Sequence, residues 1–152
     1  MSRLPVSSEL NKIAKAITHS EGRGILVGGA VRDYFIDRRI SKDLDVEVFG
    51  LSMEELESVL KQFGNIHAVG KSFGVLKLKT KTAEYDFSLP RREKKTGKGH
   101  RGFNITIDPL MSFKEAASRR DFTVNSIGYD LLENTLLDPF EGIEDIKHKK
   151  LR

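Results

Sequence analysis

The chain has 152 residues, 38% of them hydrophobic and 32% charged, which suits one soluble domain with a single core. No apolar run approaches the ~20 residues of a transmembrane helix, and the N-terminus lacks the apolar stretch of a secretory signal. Without cysteine, neither disulfides nor thiolate metal sites can form. The composition therefore predicts a cytoplasmic protein without a membrane partner. The net charge of +4 is compatible with an anionic binding partner.

The first third of the chain predicts two helices that alternate with two strands. Ser7 or Ser8 can cap the first helix, whose apolar residues recur at helical spacing. The first strand is short and apolar and ends at Gly28, whereas the second alternates acidic with apolar residues, as expected when one face is buried. The predicted elements are a helix to about residue 20, a strand over 24–27, a helix over about 30–38 and a strand over 43–49.

The remainder of the chain predicts shorter helices and strands, which makes the architecture α+β. Ser52 and Glu55 form a capping box at the start of a helix that Gly64 ends. Residues 90–102 contain three glycines and a basic cluster, and they predict an exposed, mobile loop. The other predicted elements are strands over 75–79 and 84–89 joined by a hairpin turn, a helix over 113–119 capped by Ser112, a helix over 122–127, a strand or hairpin ending at the Asp138-Pro139 turn, and a helical turn over 142–147.

The pattern with the most chemical content is the glycine pair Gly28-Gly29 and the acidic strand that follows it. Two glycines at the end of a strand let a phosphate approach the backbone N–H groups and the positive end of the next helix. Arg32, one turn into that helix, can reach back to the same phosphate. Asp43 and Asp45 are two residues apart on a strand and so share a face, where they can hold divalent cations. The combination predicts transfer of a nucleotidyl or phosphoryl group.

A third acid, Glu47, continues this strand face, and we interpret it as a neighbour that tunes the site. Three adjacent carboxylates repel one another, which raises their pKa values unless a cation lies among them. Two Mg²⁺ ions would resolve the repulsion, one lowering the pKa of an attacking hydroxyl and the other neutralising a leaving pyrophosphate. Acidic residues also occur on strands as a merely solvated face, but the glycine turn upstream favours the metal site.

Three motifs together resemble a known family. Residues 27–33 (Val-Gly-Gly-Ala-Val-Arg-Asp) and 43–45 (Asp-Leu-Asp) are similar to the signature of the polymerase-β-type nucleotidyltransferases. Residues 119–127 (Arg-Arg-Asp-Phe-Thr-Val-Asn-Ser-Ile) narrow the resemblance to the tRNA nucleotidyltransferases (CCA-adding enzymes) and bacterial poly(A) polymerases. Residues 138–145 resemble the connector between head and neck in that family. The resemblance covers the chain from about residue 24 to its end.

The resemblance implies a catalytic head with a mixed, mainly antiparallel sheet of about five strands flanked by helices. It implies the tRNA 3′ end, CTP and ATP as substrates and two Mg²⁺ ions as cofactors. The matching positions assign catalysis and metal binding to Asp43 and Asp45. They assign binding of the nucleoside triphosphate to Gly28, Gly29, Arg32, Arg120, Asp121 and Asn125. On physical grounds alone, Arg119 and Arg120 are also compatible with charges that complement a helix dipole.

Two further segments acquire a role from the resemblance. The wider superfamily carries a third carboxylate on a strand beside the first two. Asp86 is the candidate for assisting deprotonation of the attacking hydroxyl, and Glu84, on the same strand face, is the alternative. The basic segment 90–102 corresponds to a flexible loop near the active site, and its charge suits RNA or a triphosphate. A solvated basic loop is the alternative interpretation.

The predicted organisation is a catalytic head over 1–138 and a connector over 139–152 that leads to a missing neck. In the family, a Glu-Asp-x-x-Arg motif of the neck selects the base. Glu144-Asp145-x-x-His148 resembles it only superficially, because His stands where Arg is needed. We therefore expect the isolated chain to be weakly active or inactive. Alternatives within the family are poly(A) polymerases and enzymes that add only CC or only A; alternatives outside it are a small-molecule nucleotidyltransferase and an inactive RNA-binding module.

Overall fold

A computed structural model describes residues 6–37, 43–67, 74–95, 103–108, 110–117, 127–140 and 142–147. The helices are α1 (Ser8–His19), α2 (Gly29–Asp37), α3 (Met53–Leu60), α4 (Phe113–Ala117) and α5 (Gly142–Lys147). The strands are β1 (Arg23–Val27), β2 (Asp43–Phe49), β3 (Asn65–His67), β4 (Val75–Lys79), β5 (Glu84–Ser88), β6 (Arg91–Lys95), β7 (Phe103–Ile107), β8 (Gly128–Asp130) and β9 (Thr135–Leu137). The α+β architecture is thus confirmed. Of the helices described, none has the length and apolar character needed to cross a membrane.

Seven strands form one sheet in the order β3-β4-β5-β2-β1-β8-β9, and β6 pairs with β7 in a separate ribbon. All neighbouring strands of the large sheet are antiparallel except β2 and β5, which are parallel. Parallel strands require a long crossover connection, which α3, β3 and β4 supply. The mixed, mainly antiparallel sheet is as predicted, but it has seven strands rather than about five. The prediction was lower because three-residue strands such as β3 and β9 give little sequence signal.

One face of the sheet, called the core face, carries the main hydrophobic core. Helix α1 contributes an apolar stripe at helical spacing, as predicted, and α3 contributes a second one. The strands contribute every other residue, because successive side chains of a strand point to opposite faces. The buried members on α1, β2 and β5 are Leu10, Ile13, Ala14, Ile17, Leu44, Val46, Val48, Tyr85 and Phe87.

The opposite face, called the open face, is covered by protein only in part. A smaller apolar cluster lies over β1 and the end of β2, under α4 and the loop before it; its members are Ile25, Val27, Phe49, Met111 and Ala116. Gly128 permits this packing, because a Cβ at that position would lie only 2.5 Å from the Phe113 ring. Further along the sheet, β2, β5 and β4 present polar side chains on this face.

The predicted signals for helix starts are confirmed. Ser7 caps α1 by accepting a hydrogen bond of 3.1 Å from the backbone of the first turn. Ser52 and Glu55 form the predicted capping box, with distances of 2.9 and 3.2 Å, and the hydrogen bonds to Ser52 lower the pKa of Glu55. Ser112 caps α4 through a hydrogen bond of 3.2 Å. These local contacts explain why the short helices begin where the sequence indicates.

The hairpin predicted before residue 138 is confirmed as β8 and β9. Asp130 organises its turn by accepting hydrogen bonds of 3.0 Å from the backbone N–H groups of Leu132 and Glu133. Its other carboxylate oxygen receives the Nε–H of Arg23 at 2.6 Å. Asp130 is almost fully buried, so these partners offset the cost of removing its charge from water.

The prediction of a loop over residues 90–102 is wrong for its first part. These residues form strand β6, which pairs with β7 in antiparallel register. The ribbon is closed at its base by a hydrogen bond of 2.7 Å from the Asp108 N–H to the Pro90 carbonyl. Five successive charged residues have low β-propensity, so the composition of β6 does not predict a strand. The strand depends on pairing with β7, whose sequence Phe-Asn-Ile-Thr-Ile alternates apolar and polar residues. Residues 96–102 lie outside the described residues.

The last described residues have the structure that the sequence predicts for them. The predicted helical turn over 142–147 is confirmed as α5, and Asp138 accepts hydrogen bonds of 2.7 and 2.9 Å from its first two N–H groups. Ile143 and Ile146 of α5 pack against the main core. The predicted helix over 122–127, except its last residue, and the end of the helix predicted over 113–119 lie outside the described residues.

A carboxylate of α1 joins that helix to the β4–β5 hairpin. Glu9 Oε1 accepts hydrogen bonds from the hydroxyls of Tyr85 at 2.8 Å, Thr80 at 2.8 Å and Thr82 at 3.2 Å. Burial, with the hydrogen bond to Glu9 and its charge, raises the pKa of Tyr85 to about 12. The hairpin that carries part of the open face is therefore held through a neutral, buried phenol.

We predict that this phenol makes stability depend on alkaline pH. The pKa of Tyr85 in the folded chain lies above its ordinary value of 10.0, so the contribution is complete below about pH 10 and is lost as the pH rises through about 12. Tyr85→Phe should remove this part of the pH dependence and, by deleting a hydrogen bond, cost about 1 kcal/mol near neutral pH. Urea unfolding at a series of pH values measures both effects.

Tyr34→Phe is the matched control, since Tyr34 is a half-buried tyrosine of α2. It should retain the alkaline loss of stability seen in the unsubstituted chain. Equal alkaline behaviour of Tyr85→Phe and the unsubstituted chain would contradict the assignment to Tyr85.

Candidate active site

The glycine turn after β1 brings the start of α2 against a carboxylate of β2. Gly28 has a φ of 77°, in the left-handed region that other residues rarely adopt, and Gly29 is the first residue of α2. Space is short as well, because a Cβ added at Gly28 would lie 3.2 Å from Oδ2 of Asp45. The start of the helix therefore lies beside the Asp45 carboxylate, as a phosphate site next to an acidic strand requires.

The strand register places a second carboxylate next to the first. Asp45 lies opposite Val27 of β1 on one side and opposite Asp86 of β5 on the other. Opposite residues of neighbouring strands share a sheet face at a strand separation of about 4.8 Å. Asp45 is exposed and Asp86 is partly exposed. The prediction that Asp86 lies on a strand beside the first acids is confirmed, while its catalytic role stays a prediction.

Asp43 and Glu84 form the next pair along the same two strands. Glu84 is exposed, whereas the side chain of Asp43 lies outside the described part of the chain. Among the side chains that the structure describes, no group of three or more His, Asp or Glu could hold a metal ion. Of the described carboxylates, Asp45 and Asp86 lie directly opposite each other on neighbouring strands.

Arg32 lies one turn into α2, where the sequence places it. Its Nε–H donates to Oδ1 of Asp33 at 2.9 Å, so Asp33 pairs locally with its neighbour on the helix. Its backbone N–H donates to the Gly28 carbonyl at 3.4 Å and so closes the first turn of the helix. The side chain is 35% exposed, so part of it is accessible from solvent.

Glu47 continues the strand face of Asp45 but lies under cover. Glu47 is only 8% exposed, and its register partner on β1 is the buried Ile25. Phe49, the next residue on this face, packs edge-on against Phe113 with ring centroids 6.3 Å apart. Along β2 the open face thus changes from apolar and covered near Phe49 to acidic and accessible at Asp45.

A row of cations on β4, which was not among the residues predicted from the sequence, borders these carboxylates. Lys77 lies opposite Asp86 and Lys79 lies opposite Glu84, with ammonium–carboxylate distances of 3.7 and 3.9 Å. Lysine alternates with buried leucine along this strand. The alternation in the sequence therefore indicates that both lysines share a face. Their pairing with the acidic residues depends on the strand register, which alternation alone does not reveal.

Three of the predicted nucleotide-binding residues, Arg120, Asp121 and Asn125, lie outside the described residues. Within the described part, the structure brings together the glycine turn, Arg32, Asp45 and Asp86. Chemically, this arrangement can bind a phosphate at the start of a helix and place it beside carboxylates suited to hard divalent cations.

We predict that Gly28→Ala destabilises the fold by about 1–2 kcal/mol, because an L-residue pays this amount in the left-handed region. The added methyl would also press on the Asp45 carboxylate. Chemical denaturation measures the change.

Gly24→Ala, on the strand β1 that leads into this turn, is the matched control, since its Cβ would make ordinary contacts of 3.6 Å with Ile17 and Val46. It should cost clearly less than Gly28→Ala. Equal costs for the two substitutions would contradict the strained turn.

Comparison with known proteins gives consistent relatives. Two similar curated proteins are both named "Multifunctional CCA protein": that of Xylella fastidiosa (strain 9a5c), 39% identical over 130 residues, and that of Stenotrophomonas maltophilia (strain R551-3), 41% identical over 127 residues. The matches cover 86% and 84% of this chain but only 29% of each relative. The chain therefore spans less than a third of the length of these proteins.

Solved structures agree with this result at the level of the fold. The CCA-adding enzyme of Bacillus stearothermophilus in complex with CTP superposes with a TM-score of 0.75 and 28% identity, over 95% of this chain and 32% of that one. A tRNA nucleotidyltransferase complexed with a primer tRNA and an incoming ATP analog gives a TM-score of 0.71 and 28% identity, over 92% and 38%. The family model described as "Poly A polymerase head domain" matches residues 25–152. The chain thus belongs to the poly A polymerase head domain family.

Proposed function

We propose that the chain is the catalytic head of an RNA nucleotidyltransferase that adds nucleotides from CTP and ATP to the 3′ end of tRNA without a template. The observation that carries this proposal is the contact of the glycine turn with the acidic strand. Gly28 lies against Asp45 at the start of α2, and Asp86 lies on the other side of Asp45. A triphosphate bound at the helix start would lie beside the carboxylates that this chemistry requires.

Asp43 and Asp45 are the proposed ligands of two Mg²⁺ ions. Nucleotidyltransferases of this kind generally depend on a divalent metal, and the donor set fits Mg²⁺, which prefers carboxylate oxygens. The exposure of Asp45 and the adjacency of Asp86 support this assignment. When bound, the metal would neutralise charge on the triphosphate and favour ionisation of the attacking hydroxyl. Asp86 is the proposed acceptor for that hydroxyl proton, with Glu84 as the alternative.

The remaining roles fall to residues that bind and orient the triphosphate. The N–H groups at Gly28 and Gly29 and the positive end of α2 would hold its phosphates. Arg32 would add a charge-assisted hydrogen bond, and Arg120, Asp121 and Asn125 complete the proposed site. In the reaction, the RNA 3′ hydroxyl forms a bond to the α-phosphorus of CTP or ATP, and the bond to pyrophosphate breaks.

The names of the relatives support the choice of substrates. The similar curated proteins are CCA proteins, one similar structure holds CTP, and another holds a primer tRNA with an ATP analog. Carried to this chain, these ligands become the proposed substrates, and a cytoplasmic location with no membrane partner is part of the proposal. Poly(A) synthesis is the second candidate, because the matching family model is described by that activity.

We also propose that residues 1–138 form the head and 139–152 a connector. Asp138 holds the start of α5 through two hydrogen bonds, and α5 packs on the main core. The connector would therefore contain a helix, α5, that is fixed at its first turn and packed on the head.

We predict that Asp45→Asn, in the full-length protein, lowers nucleotide incorporation about 10³-fold, since loss of metal-assisted charge stabilisation costs several kcal/mol. The double variant Asp43→Ala/Asp45→Ala should abolish incorporation and leave tRNA binding largely intact. Incorporation of CMP into tRNA that lacks its 3′ CCA is the measurement.

Glu54→Gln, which removes an exposed carboxylate of α3, is the control and should keep full activity. Incorporation that survives in the double variant would refute the catalytic assignment. Extension by many AMP residues, without use of CTP, would instead favour the poly(A) alternative.

We predict further that the isolated chain binds CTP and GTP weakly and with similar affinity, because the base-selecting motif of the family lies in the neck. Equilibrium titration with each nucleotide measures this. A preference for CTP above about tenfold, or 1.4 kcal/mol, would place base selection within the head. It would contradict the prediction that the isolated chain does not discriminate between CTP and GTP.

A further inference from the structure

We propose that Lys77 and Lys79 form a contact surface for the backbone phosphates of the RNA strand whose 3′ end is extended. Together with Asn65 and His67 of β3 they are called the lysine strip. The inference rests on the proposed function and identifies the side from which the RNA reaches the carboxylates.

The first step is the placement of the two substrates around Asp45. The glycine turn lies on the β1 side of Asp45, so a triphosphate at the start of α2 occupies that side. On the other side lie β5, with Asp86, and then β4 and β3. An RNA end that reaches Asp86 without displacing the triphosphate therefore comes over β4 and β3.

The second step is the orientation of the lysine strip. In the register, Lys77 lies between His67 and Asp86. Lys79 lies between Asn65 and Glu84. Because residues opposite each other share a face, two polar rows run from the edge of the sheet to the carboxylates. The leucines that alternate with the lysines are fully buried on the core face, which keeps both lysines on the open face.

The third step is accessibility. The lysine side chains are 50% and 60% exposed, and Asn65 and His67 are exposed as well. The described helices pack mainly on β1, on β2 and on one another. The described part of the chain therefore leaves the lysine strip open to a partner as large as an RNA strand.

The fourth step is the charge on the strip. The ammonium–carboxylate distances of 3.7 and 3.9 Å are long compared with about 2.8 Å for a charge-assisted hydrogen bond. Exposed pairs of this kind contribute little to stability. A divalent cation among the carboxylates would replace the lysines as counter-charge, and the two ammonium groups would then be available to phosphates.

The test is the salt dependence of RNA binding by Lys77→Gln/Lys79→Gln. Fluorescence anisotropy with labelled tRNA that lacks its 3′ CCA gives the affinity over a series of salt concentrations. Each phosphate contact to a single strand contributes about 0.7 to the slope of log affinity against log salt. We expect the double variant to bind more weakly at low salt and to lose about 1.4 from the magnitude of the slope.

Lys12→Gln/Lys15→Gln is the matched control, since it removes the same charge from exposed positions of α1, which packs on the core face. It should leave the slope unchanged. An equal loss in both double variants would show a general charge effect and overturn the proposal, as would the absence of RNA binding by the unsubstituted chain at low salt. A parallel loss of CTP affinity in Lys77→Gln/Lys79→Gln would assign the lysines to the triphosphate and also overturn it.

Incorporation by the full-length protein separates this proposal from the proposed function. A reduced slope without any incorporation by the unsubstituted protein would support the surface and refute the activity. Normal incorporation with an unchanged slope in the double variant would support the activity and refute the surface.

Discussion

The parallel pairing of β2 with β5 is the constraint on which the site depends. Its register places Asp45 next to Asp86 on the open face and Leu44 next to Tyr85 on the core face. A shift by one residue would exchange the two faces and carry the carboxylates into the core, where an uncompensated charge costs several kcal/mol. The hydrophobic core therefore enforces the register that brings the acids together. The crossover needed for parallel strands also supplies β4, and with it the lysines that border the acids.

The open face has two halves with opposite requirements. Over β1 it is closed by the α4 segment, with Phe113 packed where Gly128 leaves room. Over β2 and β5 it stays accessible at Asp45 and Asp86, carboxylates that would lose their solvation under a covering helix. Glu47 lies at the boundary, nearly buried yet on the same strand as the exposed Asp45. A single strand is thus buried at one end and exposed and acidic at the other, and the change occurs within a few residues.

The sequence predicts the features that depend on short-range interactions. The Ser7 cap, the Ser52–Glu55 capping box and the acid-apolar alternation of β2 are each encoded within a few residues, and each is confirmed. Strand β6 was missed because its charged residues form a strand only with a partner that lies several residues further along the chain. The pairing of Lys77 with Asp86 was missed for a related reason, since register is set by the turn and the core rather than by either strand alone. Local interactions can therefore be predicted from the sequence, whereas the neighbours of a carboxylate such as Asp86 depend on the topology of the sheet.

Charge balance links the free and the substrate-bound forms of the proposed site. Adjacent carboxylates on one face repel each other and need a counter-charge in every state. In the structure this role falls to the lysines of β4 and to the positive start of α2. If divalent cations take over that role, both cationic groups become available for phosphates, the helix start for the triphosphate and the lysines for the RNA strand. The exposed, loosely held ion pairs are consistent with such an exchange, because a tightly bonded pair would have to be broken before either substrate could bind.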